Sequence, residues 1–321
     1  MTMAGDYRQP PPADLAPDAE RREAGIPHEQ QGWRLDKALV ALAPEFSRSH
    51  LQTLIAQGLV ELGGVPARTA SKRVQAGQRL AVVLAPPAEA SAFLPQPLPI
   101  ETVYEDEHLR IINKPAGLVV HPAPGNWSGT LLNGLLALDP PVAALPRAGI
   151  VHRLDKDTSG LMVVARTLVA QTALVRAMAA REIHRQYLAL AHGDVGAAPF
   201  SVTVPVGRDP VSRVRMAAVA SGKPARTDVT PVARQEGVSA VVCVLHTGRT
   251  HQIRVHLSHL GHPLVADAVY GGRAALGLTR QALHATELAL AHPVTGVPLR
   301  FHAPLPADLA QAWVTITGET R

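Results

Sequence analysis

The sequence predicts an α+β fold in two parts: a small αβ unit near the N-terminus, then a larger domain built on a curved antiparallel or mixed sheet. Three observations carry this. Apolar residues recur at helical spacing from Trp33 to Ile55 and then fall into short strand-like runs up to Leu84. A proline-rich stretch without periodicity, 86–99, follows and reads as a linker. Beyond Ile100, short apolar runs bounded by Gly and Pro turns interleave with a few helical patterns.

In chain order, residues 1–31 are rich in Pro, Ala and charge with no apolar period and are expected to form a disordered tail. Residues 32–85 form the first unit. Leu35, Ala38, Leu39 and Leu42 share one helical face, and Ser47 can cap a second helix whose Leu51, Leu54 and Ile55 line up; Gly58 ends it. Val60–Leu62, the Gly63-Gly64 turn and Leu80–Leu84 complete it as strands. In the second domain, 100–321, Leu109–Ile112 reads as a strand, Asn113–Gly117 as a turn, Leu118–Val120 as a returning strand, and Thr130 as the cap of a helix Leu131–Leu138. A helix from about Leu168 to Arg181 follows, then strands at Tyr187–Ala191 and Val238–Leu245. Thr247–Thr250 turns into a helix capped by Thr250, with Ile253, Leu257 and Leu260 on one face and Gly261 as its stop.

The 321 residues are 46% hydrophobic, ordinary for a globular protein. A net charge of +5 and a pI near 9.7 are compatible with a polyanionic partner. Residues 1–30 carry three basic and six acidic side chains, whereas 33–84 carry seven basic and three acidic, so the small unit is the basic footprint. The single cysteine, Cys243, excludes a disulfide framework and reads as a small buried thiol. With no signal pattern and no apolar run of about 20 residues, the expectation is a soluble cytoplasmic protein.

Candidate chemistry centres on 149–165, where His152, Arg153, Asp155, Lys156 and Asp157 sit between the apolar runs Ile150-Val151 and Leu161–Ala165. Two further clusters combine polar groups with an apolar frame: Arg185-Gln186-Tyr187 and Arg249 to His256. A buried carboxylate such as Asp155 needs an Arg within hydrogen-bond reach to stay ionised and fixed in direction. Arg249, just ahead of the Thr250 cap, is the candidate for it. Asp155-Lys156-Asp157-Thr158 also fits an Asp-x-Asp-x-Thr phosphotransferase motif, but His152-Arg153 interrupt the apolar strand that motif requires. His246, His251, His256, His259 and His262 lack an accompanying Cys or carboxylate cluster and read as structural or surface histidines, with no metal expected.

Arg34-Leu35-Asp36-Lys37, Ser47-Arg48-Ser49, Leu54 to Val60 and Gly77 resemble the S4 RNA-binding domain. The resemblance makes Arg34, Arg48, Gln52 and Lys72 candidate phosphate or sugar contacts; each arginine also reads as solvated surface charge. The larger domain resembles the RluA/RluD family of RNA pseudouridine synthases through Asn113–Gly117 with His121-Pro122, Ala148–Gly160, Pro205–Pro210, Gly222–Thr227, Thr247–Leu257 and Arg280–Ala285. The N-terminal S4-like unit looks like the RluD branch. Ala266 stands where that family usually has Gly, and a local turn effect is expected. The resemblance implies a small αβ S4-like domain followed by a catalytic domain with a central, mostly antiparallel curved sheet flanked by helices. It implies conversion of uridine to pseudouridine in RNA, in the large-subunit ribosomal RNA for the RluD branch, free or in an assembling subunit, by a monomer without cofactor. Asp155 would be the catalytic carboxylate, as nucleophile or base; Tyr187 would stack on the base; Arg249 would orient Asp155. Arg153 and His152 would contact RNA, Arg153 filling the gap left by a base taken out of its stack or holding a phosphate. The alternative is a non-catalytic S4-containing ribosome-assembly factor, told apart by whether Asp155, Tyr187 and Arg249 work as one site.

Overall fold

A computed structural model describes residues 20–212 and 215–319. They fall into two compact units, one ending at Ser91 and one beginning at Ala92. The first comprises β1 (Glu20–Gly25), α1 (Leu35–Leu42), α2 (Arg48–Gln57), β2 (Val60–Leu62), β3 (Val65–Pro66) and β4 (Arg79–Leu84). Its sheet has the order β1-β4-β2-β3, antiparallel throughout. Ser47 Oγ accepts the His50 N–H at 3.2 Å, and Gly58, at φ +81°, closes α2 with the left-handed turn that only glycine adopts without strain. Leu35, Leu39, Leu51, Leu54 and Ile55 pack on Val60, Leu80 and Val82.

Strand β1 corrects the expectation of a disordered tail over residues 20–31; residues 1–19 lie outside the described residues. Glu20–Gly25 is an exposed edge strand with neither face in the core. It is held by its ladder to β4 and by ion pairs: Arg21 to Glu61 at 3.0 Å, Arg22 to Glu45 at 2.7 Å, and Glu23 to Arg79.

The second unit contains β5 (Glu101–Glu105), β6 (Leu109–Lys114), α3 (Leu131–Leu138), β7 (Ser159–Ala165), α4 (Leu168–Ala180), β8 (His184–His192), β9 (Phe200–Val202), β10 (Val206–Arg208) and β11 (Met216–Ala218). It continues with β12 (Thr227–Gln235), β13 (Val238–Leu245), α5 (Gln252–His259), β14 (Leu283–Ala291), β15 (Pro298–His302) and α6 (Ala307–Thr317). Its main sheet runs β5-β6-β7-β14-β8-β13-β12-β9, with β15 also paired to β14. All its pairings are antiparallel except β7 with β14. That exception depends on Gly160: at φ +117°, a Cβ there would lie 2.2 Å from the Ala285 carbonyl oxygen. Alternate strand residues face opposite ways. Ile112, Met162, Tyr187 and Cys243 pack with α3 and α5; Ile111, Val163 and Leu288 pack with α4; Leu188, Leu190 and Ala240 pack with α6.

Two further expectations change. Leu118–Val120 is not a strand, because the Val119 and Val120 carbonyls accept the N–H groups of Leu131 and Leu132 at the start of α3. The later part of the expected linker is packed structure: the Asn133 side-chain amide donates to the carbonyls of Ala92 and Leu94, and Gly134 leaves room for Leu98 and Ile100.

Candidate active site

Asp155 lies in the loop leading into β7, and this loop is tethered almost residue by residue. His152 Nε2 accepts the Val163 N–H at 3.0 Å, the Lys156 carbonyl accepts from Lys114 Nζ at 3.0 Å, the Asp157 carbonyl accepts from Arg280 at 3.0 Å, and Gln281 reaches Thr158 Oγ1 at 3.3 Å. The fully buried Lys114 also donates to the Pro115 and Leu118 carbonyls, so its three acceptors match the three N–H bonds of an ammonium group even though burial pushes it down to about 7. Lys156, Asp157 and Thr158 therefore shape the loop.

The guanidinium that meets Asp155 is that of Arg254, which donates from Nη1 to Asp155 Oδ2 at 3.0 Å. Its Nε and Nη2 grip Asp267 at 2.7 and 2.9 Å. Burial alone would lower the pKa of Arg254, but the hydrogen bonds and charge of Asp267, then of Asp155, raise it above arginine's ordinary value. His251 Nε2 stands 3.8 Å from Asp155 Oδ1 while its Nδ1 meets Tyr270 Oη at 2.8 Å.

The expected Arg249–Asp155 contact is thus replaced. Helix α5 starts at Gln252 after a left-handed residue, His251 (φ +58°), and not from a Thr250 cap. The Gln252 side chain closes the turn by accepting from Thr247 Oγ1 and the Arg249 N–H, and Arg249 Nε donates to the Pro224 carbonyl at 3.1 Å. Arg249 anchors two loops at the cavity edge, while Arg254, one turn into the motif, points at the carboxylate. Both Arg254 and Asp267 escaped the sequence reading; their signal was an Arg and an Asp inside otherwise buried runs.

Asp155, Tyr187, Arg249, Arg153 and His152 all line one cavity of about 610 Å³, within the roughly 300–1,000 Å³ of ligand sites. Tyr187 is fixed on β8 between Ala285 of β14 and Cys243 of β13, and burial raises its phenol pKa. Cys243 is buried, its thiol pushed up to about 12. Arg153 is exposed at the rim, as is Arg147. His152 does not present a charged ring to a ligand: burial, then the charge of Arg185, lowers its pKa to about 3, and its Nδ1 is buried without a partner.

In the first unit, Arg34, Arg48 and Gln52 converge on the fully buried Asp36. Arg34 binds both its oxygens at 3.0 and 3.1 Å, Arg48 donates at 2.9 Å and Gln52 at 2.6 Å. The two arginines are not freely solvated charges; the carboxylate fixes where they and Gln52 stand. Lys72 is exposed. His246, His251, His256 and His262 go to separate partners, including Asp228 for His246 and the Val204 carbonyl for His256, and no cluster of three potential metal ligands occurs among the described residues.

Exposed cations at a rim and one guanidinium-held carboxylate within suit a polyanion from which a single ring is drawn inward, which is the demand of a nucleic-acid-modifying enzyme. Residues 108–259 match the RNA pseudouridylate synthase family and residues 33–80 match the S4 domain. The chain belongs to the RNA pseudouridylate synthases, isomerases that act on RNA. It is 48% identical over 298 residues to ribosomal large subunit pseudouridine synthase D of Neisseria meningitidis serogroup B, covering 88% of this chain and 79% of that protein. It is 45% identical over 301 residues to the Escherichia coli K12 protein of the same name, covering 90% and 92%. Among solved structures, human RNA pseudouridylate synthase domain containing 1 shares the fold at a TM-score of 0.53 and 26% identity, covering 72% of this chain and 90% of that one.

Proposed function

We propose that this enzyme isomerises specific uridines of large-subunit ribosomal RNA, acting as a cytoplasmic monomer, with Asp155 as the catalytic carboxylate. The observation that carries the reading is the Asp155–Arg254 pair in one cavity with Tyr187. The names of the relatives support the ribosomal substrate, and no helix among the described residues is long and apolar enough to cross a membrane.

The reaction conserves every atom of the nucleotide. The N1–C1′ bond breaks with its electron pair left on uracil, and C1′ is either captured by an Asp155 oxygen or relieved by loss of the neighbouring sugar proton. The detached base turns and C5 bonds to C1′ as the Asp155–C1′ bond breaks, or as the sugar carbon regains its proton; the C5 proton then leaves to solvent and N1 takes up a proton. Arg254 aims Asp155 through its hydrogen bond; Tyr187 stacks on the base, which has left its helix. Arg153 at the rim is placed to fill the gap or hold a phosphate. The S4 unit presents Arg34, Arg48, Gln52 and Lys72 to the RNA backbone, so affinity falls steeply with salt.

Tritium release from [5-³H]uridine-labelled ribosomal RNA tests this. Wild type releases tritium and Asp155→Asn releases none; equal release by both would sink the role of Asp155. A wild-type protein inert on every ribosomal RNA would favour the non-catalytic assembly factor.

A further inference from the structure

The cavity contains a second buried cation that the Asp155 assembly does not use. Arg185 lies on β8 two residues before Tyr187, so both project from the same face of the strand, and both line the cavity. It is only 6% exposed. The other deeply buried guanidinium groups of this unit have carboxylates: Arg110 has Glu105, and Arg254 has Asp155 and Asp267. Arg185 meets none among the described residues, and its Nε is buried without a hydrogen-bond partner. A cation taken out of water without a counter-charge is costly to the fold, so a site that retains one has a use for it.

The surroundings keep that group in place. A Cβ on Gly248 would come within 2.8 Å of Arg185 Nη1, so the missing side chain makes the space the guanidinium fills. Burial and the Arg185 charge hold His152 neutral, so Arg185 is the charged donor at this end of the cavity.

We propose that Arg185 donates to a carbonyl oxygen of the flipped uracil and holds the negative charge that collects there when the glycosidic bond breaks. The proposal rests on the pseudouridine-forming reading above. When the N1–C1′ pair stays with the base, uracil becomes an anion delocalised over N1, O2 and O4. A fixed guanidinium beside the ring is already oriented for those oxygens, and a preorganised donor of this kind acts on the transition state more than on the bound substrate. A phosphate is the less suited ligand, because Arg185 sits beside the buried Tyr187, whereas Arg147 and Arg153 line the cavity with exposed side chains that a backbone could reach.

Three variants test this: Arg185→Met, Arg185→Lys and Gly248→Ala, each compared with wild type in thermal melts, in RNA affinity at several salt concentrations and in single-turnover tritium release at saturating enzyme. Loss of the donor in Arg185→Met is expected to slow release by about 100-fold or more. Its affinity should stay within about twofold of wild type and its salt slope should not change. Arg185→Lys keeps the charge without the fork and loses roughly tenfold, and Gly248→Ala, which displaces the guanidinium, also loses roughly tenfold. A rate for Arg185→Met within about threefold of wild type overturns the proposal. So does an unchanged rate with weaker binding and a salt slope reduced by about one, the mark of a phosphate contact. Should Arg185→Met fail to fold, wild-type rates in both Arg185→Lys and Gly248→Ala overturn it. Wild-type protein inactive on every RNA would sink the underlying reading; active wild type with an unaffected Arg185→Met sinks this inference alone.

Discussion

Replacing Arg254 with Met keeps an unbranched stem and removes the guanidinium that joins two carboxylates. Three hydrogen bonds go: one to Asp155 at 3.0 Å and two to Asp267 at 2.7 and 2.9 Å. At about 3 Å and an effective dielectric constant near 20, a unit-charge contact amounts to roughly 5 kcal/mol before desolvation. Much of that is returned, since Met has no charge to strip of water. Asp267, however, is only 1% exposed and is left as a buried charge without its partner. Breaking such a pair costs about 3–5 kcal/mol, which for a unit of this size lowers Tm by roughly 10 °C. The double variant Arg254→Met/Asp267→Leu removes both buried charges, an exchange that is often neutral, so its Tm should return to within about 3 °C of wild type. Asp155 still lacks the N–H that fixes its Oδ2. Single-turnover tritium release should therefore fall by about 100-fold or more in both variants. A double variant that melts like wild type and reacts within about threefold of its rate would refute the view that Arg254 aims the carboxylate.

Asp36→Ala should cost the first unit about 2 kcal/mol, a figure already discounted because Arg34 and Arg48 are half exposed, and hydrogen exchange of the α1 amides together with RNA affinity should both report the loss. Hydrogen bonding from Arg34, then from Gln52 and Arg48, holds Asp36 well below the usual carboxylate range despite its burial. The stability from that depressed pKa is complete above the unfolded value of about 3.9 and is lost as pH falls below it. Wild-type protection of α1 should decline below about pH 4, and in Asp36→Asn that decline should be smaller. Ala266 has φ +59°, a conformation that costs an L-residue about 1–2 kcal/mol. Ala266→Gly relieves it against a loss of about 0.5–1 kcal/mol in chain entropy, so Tm should rise by roughly 2 °C, and a lower Tm would show that the turn tolerates the methyl group without strain.

The elements legible in the sequence are those whose signals are local. Helix α3 follows from Thr130 and its apolar run, α2 from Ser47 and Gly58, and β13 from a mostly apolar segment between turns. Strand β1 had no such signal. Both its faces are wet, so its charged residues show no period, and its stability comes from pairing with a strand more than fifty residues away. Leu118–Val120 looked like a strand because its residues are apolar, yet its carbonyls serve a helix end, a use that composition does not mark.

At the site, the sequence pointed to Asp155, Tyr187 and the need for an arginine but took Arg249 for it, where the structure sets Arg254 against Asp155. Apolar period distinguishes faces only when one face of a helix is wet, and α5 is buried from Gln252 through Leu257. The deciding feature is the left-handed backbone at His251, which no glycine announces. It delays the helix by a residue and lets the Gln252 side chain tie the turn to Thr247 and the Arg249 N–H. Arg249 is thereby committed to the Pro224 carbonyl, and Arg254 becomes the residue that can bind Asp267 with one edge of its guanidinium and Asp155 with what remains. The same reasoning changes the basic footprint of the first unit. Asp36 falls among Leu35, Ala38 and Leu39 on a buried helical face, where a carboxylate requires donors, so Arg34, Arg48 and Gln52 had to be held by it before they could meet any RNA.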